Sequence, residues 1–157
     1  MIYRCIGRTL ESMPGKKAIF VILDSDDTDC AELKKDLVEM YVKSGVTVDV
    51  YFCIAIEEME AWLLGDEKAI EEAYPQAKMP LLRKYVQDSI VGTWEYLADV
   101  VYSGGVNALK KKAESYYEIG LFKCECAGNI GMYLNIHENK SPSFNYFINK
   151  LNDFCEV

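Results

Sequence analysis

Between Lys17 and Asp24 runs an unbroken apolar stretch, Ala18-Ile19-Phe20-Val21-Ile22-Leu23. Such a run suits a strand covered on both faces, as in a parallel sheet. The spacing then turns helical, with Leu33, Leu37, Met40 and Tyr41 on one face. Asp29 followed by Glu32 resembles a capping box at the start of that helix, and Gly45 predicts a left-handed cap at its end. Residues 46–56 return to strand chemistry, alternating at Val46, Val48 and Val50 before becoming wholly apolar through Ile56. The unit is β-α-β, and a right-handed crossover makes its two strands parallel.

A second helix is expected from Glu57 to about residue 73, burying Met59, Trp62, Leu63, Ile70 and Ala73. Tyr74-Pro75 ends it, because proline cannot continue a helix interior. Strand signals then fade. Residues 81–87, 94–102, 106–117 and 123–134 read as helices, and Ser141-Pro142 opens a last one running to about Phe154. Neither a repeat nor a linker divides the chain. The expected fold class is therefore α/β: a small parallel, Rossmann-like sheet with a helical C-terminal half, in one domain over residues 1–157. A chain of 157 residues suits one domain, burying about 68–70% of its unfolded surface.

Charge and cysteine usage narrow the setting. A net charge of −8 disfavours non-specific nucleic-acid binding, which depends on basic surface. No apolar stretch approaches the ~20 residues of a membrane helix, and Arg8, Glu11 and Lys16 follow the start too closely for a signal peptide. The six cysteines are irregularly spaced, which suits reduced thiols in the cytoplasm. Cys124-Glu125-Cys126 with His137 lacks both the spacing and the second pair of a zinc site.

The chemistry concentrates at the strand ends. Asp24 and Asp26 follow the first apolar run, and Glu57, Glu58 and Glu60 follow the second. In parallel neighbours both clusters reach one edge of the sheet, where α/β folds place their ligand sites. Like charges so close either raise their pKa values or hold a cation between them. Oxygen donors of this kind suit a hard divalent ion. Capping competes as an explanation: Asp27 or Asp29 serves a helix start, and first-turn glutamates favour the helix dipole. Asp66 lies nearly two turns after Glu60, within reach of the same side. His137 reads as structural or exposed, and Trp62 and Trp94 as core.

Three stretches carry a family resemblance. They are Phe20-Val21-Ile22-Leu23-Asp24-x-Asp26-Asp27-x-x-Cys30, Ile54-Ala55-Ile56-Glu57-Glu58-Met59-Glu60-Ala61-Trp62-Leu63-Leu64-Gly65-Asp66, and Asn139-Lys140-Ser141-Pro142-Ser143-Phe144. Together they resemble an uncharacterised prokaryotic Toprim-like family, similar to the Toprim domains of OLD-type nucleases, over roughly residues 17–151. The resemblance implies a Toprim-like sheet that binds Mg²⁺ or Mn²⁺. Asp24 and Asp26 match the Asp-x-Asp metal pair, Glu60 and Asp66 match further site positions, and Glu58 matches less regularly. Asp24 and Glu60 are the residues implied in catalysis, as phosphodiester hydrolysis or transfer. An ATPase partner subunit and a role in defence belong to the same implication.

One departure matters. Toprim domains begin with a strand ending in a catalytic glutamate. Residues 1–6 are the one strand candidate ahead of Lys17, and only Glu11 stands in for that acid. A non-catalytic binding or regulatory subunit is therefore the second expectation. A receiver-like phosphoacceptor ranks last, because it needs an Asp and a Lys on later strands.

Overall fold

In the computed structural model, which describes the backbone of residues 2–155 and the side chains of residues 5–155, β1 (Ala18–Asp24) and β2 (Asp49–Ala55) pair in parallel. Asp24 stands opposite Ala55 at their C-terminal ends. The crossover between them is α2 (Cys30–Ser44). Asp29 Oδ1 accepts from the Ala31 and Glu32 backbone N–H groups at 2.9 and 3.0 Å. Gly45 closes the helix in the left-handed region at φ 70°, where a side chain would be strained. Among the described residues the sheet has two strands.

Each face of the sheet has its own cover, as strand alternation requires. Val21, Leu23, Phe52 and Ile54 pack under Leu33 and Leu37 of α2. The opposite face meets α9 (Pro142–Cys155). There Phe20 stacks on Tyr51 at 4.9 Å and meets Phe147 and Phe154 edge-on. Trp62 lies parallel to Phe147 at 5.6 Å, and its Nε1–H donates to Ser143 Oγ at 2.8 Å. Burying such an indole with its N–H satisfied stabilises by several kcal/mol; truncation to alanine at such a site costs about 3–5 kcal/mol.

The remaining elements build a helical layer: α3 (Glu60–Leu64), α4 (Glu67–Ala73), α5 (Met79–Leu82), α6 (Thr93–Val101), α7 (Gly105–Lys112) and α8 (Tyr116–Gly131). Its core holds Leu64, Ile70, Leu82, Leu97, Val100 and Ile130. Ser141 starts α9 as expected, its Oγ accepting from Phe144 N–H at 3.2 Å.

Several expectations need correction. The strand candidate over residues 1–6 is helix α1 (Ile2–Glu11), with Met1 outside the described residues. Ile2, Ile6 and Leu10 recur every fourth residue, a helical period. The single helix expected from Glu57 is two, α3 and α4. Glu57 has φ 63°, outside the helical region, and the chain breaks again at Gly65-Asp66. A helix expected over residues 81–87 is the single turn of α5. That over 106–117 stops at Lys112, and the next begins at Tyr116 rather than Lys123.

Candidate functional site

Both strands leave the sheet at one edge, and each exit passes through a left-handed residue: Asp26 at φ 49° and Glu57 at φ 63°. Such backbone costs a non-glycine residue on the order of 1 kcal/mol, so bonds must hold it. Ser25 N–H donates to Ala55 O at 3.0 Å, and Asp26 N–H to Glu57 O at 2.9 Å. Glu57 N–H donates to the buried Ser25 hydroxyl at 2.7 Å. These bonds carry strand pairing on into the two loops.

The Glu57 side chain points away from this lacing to the start of α6. Its Oε1 accepts from Gly92 N–H at 2.7 Å, and its Oε2 accepts from Thr93 N–H at 2.7 Å and from the Thr93 hydroxyl. A carboxylate on the free N–H groups of a helix start is favoured by bonding and by the dipole. Glu57, buried at 8% exposure, thus fastens α6 to the sheet edge.

Glu58 and Glu60 share a cation. Lys123, in the middle of α8, places Nζ 2.7 Å from Glu58 Oε1 and 3.4 Å from Glu60 Oε1. Burial raises the Glu60 pKa above its ordinary value, with Lys123 pulling it back and Glu58 pushing it further up. Burial draws Lys123 down, but its hydrogen bond to Glu58 and the charges of both glutamates outweigh this and leave it raised. Asp24 feels the same field. Although the residue is exposed, the protein around its carboxyl raises its pKa, with Lys123 and the Met59 backbone N–H opposing and Asp26 and Glu57 reinforcing the rise.

The five expected ligands therefore divide. Glu58 and Glu60 flank Lys123, and Asp24 lies within the field of its charge. Asp26 lines a neighbouring open cleft of about 300 Å³ with Asp27, Asp29 and Asp88. Asp66 is buried at 3% exposure with both oxygens engaged: Oδ1 accepts from Ala69 N–H at 3.0 Å, capping α4, and Oδ2 from Asn135 N–H at 2.8 Å. The groups bonded to Lys123 are carboxylate oxygens, and its ammonium neutralises them. Among the described residues, no group of three His, Cys, Asp or Glu side chains is arranged to hold a metal ion.

Sequence reasoning missed Lys123, Thr93 and Asp88. Lys123 is the single basic residue of α8, and a lone cation in a helix that also buries Phe122, Cys126 and Ile130 was a readable signal. Asp88 gave none. It acts across 55 residues, accepting from Ser143 N–H at 2.7 Å and from Ser141 Oγ at 2.9 Å to hold the start of α9. Cys124 and His137 are exposed, while Cys126 is fully buried. Burial pushes the Cys126 thiol up to about 11.

No helix among the described residues is long and apolar enough to cross a membrane. No curated protein matches the chain significantly, and neither does any solved structure. A family model described as "Domain of unknown function (DUF4276)" matches residues 8–152, nearly the whole chain, including both strand-end loops and Lys123. The chain belongs to the DUF4276 family.

Proposed function

We propose that this chain is a Toprim-like module that binds a divalent cation, Mg²⁺ or Mn²⁺, at the C-terminal edge of its sheet and serves phosphodiester hydrolysis or transfer. One observation supports this most directly: Glu58 and Glu60, just past the end of β2, share the Lys123 ammonium, whose field also reaches Asp24 at the end of β1. Asp24 and Glu60 are the proposed catalytic pair, and Asp26 extends the acidic edge into the adjoining cleft. The bound ion would polarise a phosphoryl oxygen and activate water. Its entry requires Lys123 to withdraw, since the ammonium already neutralises the carboxylates. Coupling to an ATPase or a defence system is the finer part of this reading and rests on the family resemblance alone.

A second reading is a non-catalytic binding or regulatory subunit. Lys123 favours it, by satisfying the carboxylates without an ion. So does Asp66, whose oxygens are committed to backbone N–H groups.

Calorimetry with Mn²⁺ separates the two. The native chain should bind, an Asp24→Asn, Asp26→Asn chain should lose at least tenfold in affinity, and Lys123→Gln should bind more tightly than native. Absence of binding by both the native and the Lys123→Gln chains would overturn the metal reading in favour of the second.

A further inference from the structure

The two edges of the sheet are unequal. Ser25 N–H bonds to Ala55 O, so by the alternation of a parallel ladder the odd-numbered residues of β1 face β2. Phe20, Ile22 and Asp24 then present their N–H and C=O groups to the far edge of β1. Among the described residues no backbone group bonds to that row. Side-chain exposure agrees. Ile22 is 44% exposed, whereas its register partner Cys53 is fully buried, and Phe52 and Ile54 of β2 are 4% and 5% exposed. The end of α1 ties to Thr47, ahead of β2, whose N–H and hydroxyl both donate to Glu11 Oε1, at 2.9 and 2.8 Å.

Such a strand edge is a template for another strand, and its charges select the occupant. Lys16 and Lys17 precede β1, while Asp24, Asp26 and Asp27 follow it. A second copy added in parallel would set like charges side by side. Added antiparallel about a two-fold axis through Val21, the same edge sets Phe20 opposite Ile22 and Lys16 opposite Asp26 of the other copy. This register also pairs the outward-facing residues with one another, as an antiparallel ladder needs, and gives the self-complementary contact of a two-fold dimer. Lys16 Nζ already donates to Phe154 O at 2.6 Å, and an ammonium keeps two further donors.

We infer that the outer edge of β1 is a homodimer interface, joining two copies antiparallel through a continuous four-stranded sheet. The net charge of −8 opposes association globally. One strand pair also buries less than the roughly 1,200 Å² at the low end of stable interfaces. Association is therefore weak, below that of a standard-size interface.

Sedimentation equilibrium from roughly 1 µM to 1 mM tests this on the full chain. The average mass should rise from 17.9 kDa towards twice that value. Ile22→Lys should stay monomeric. So should a Lys16→Glu, Lys17→Glu chain and an Asp26→Lys, Asp27→Lys chain, each with native circular dichroism. An equimolar mixture of those two charge-reversed chains should regain the dimer, because each then offers what the other lacks. A native chain monomeric throughout would overturn the inference. A dimer persisting in all three variants, or a mixture that stays monomeric, would overturn it equally. None of these outcomes depends on metal binding, so the two proposals fail separately.

Discussion

At the scale of single residues, Glu60 sets the balance of the site. An acid whose folded pKa is raised binds its proton more tightly in the folded state than in the unfolded one. Its contribution therefore falls as pH rises from the ordinary glutamate value of 4.5 to the raised folded value. Above that window the cost of keeping Glu60 ionised is fully present. Asp24 acts in the same direction from its ordinary value of 3.8. Lys123 also loses stability with rising pH but far higher on the scale: its stabilisation is whole below 10.5 and is lost only as pH climbs through its raised folded value. The expected outcome for Glu60→Gln is a chain at least as stable as native at pH 7, with a flatter stability curve just above pH 4.5. Urea unfolding across that range checks it. A variant less stable than native at pH 7 would show that the bond to Lys123 outweighs the burial cost.

Among the elements, the break between α3 and α4 is the most informative. Gly65 sits against Asn139, and a Cβ at position 65 would lie 2.0 Å from Asn139 Oδ1. Asn139 cannot swing aside cheaply. Its Nδ2 donates to Trp62 O at 2.7 Å, and its Oδ1 accepts from Ser141 N–H at 2.9 Å. Gly65→Ala should therefore cost about 2–3 kcal/mol, combining overpacking with a lost buried bond. A urea midpoint unchanged from native would refute this. Nothing local announces the contact, because Gly65 and Asn139 meet only through the fold. What was legible were features set by neighbours in sequence: the apolar run of β1, the Asp29 and Gly45 caps of α2, and Ser141-Pro142 at the start of α9. The closeness of Glu58 and Glu60 was legible for the same reason, both lying just past a strand end. Asp66 and Glu57 misled as members of one long helix. Their carboxylates serve backbone N–H groups 3 to 69 residues away, and no periodicity encodes such distances.

Across the whole molecule, the C-terminal segment is bound to the earlier chain at many points. Asp66 accepts from Asn135 N–H, Gly65 O from Lys140 N–H at 2.9 Å, and Asp88 from Ser141 and Ser143. α8 adds Lys123 to the strand-end carboxylates and buries Phe122, Cys126 and Ile130 in the helical core, while α9 covers the sheet. Between α7 and α8, by contrast, residues 114 and 115 are exposed. Separately produced pieces ending at Glu114 and beginning at Ser115 should consequently recombine. A tagged second piece is expected to retain the first through repeated washing, and the mixture to recover a cooperative melt that neither half shows alone. Pieces that part on dilution would mean those ties are too weak. Fragment complementation of this kind would make the bond between residues 114 and 115 dispensable, and would allow the carboxylates and the lysine that neutralises them to be supplied by two separate polypeptides.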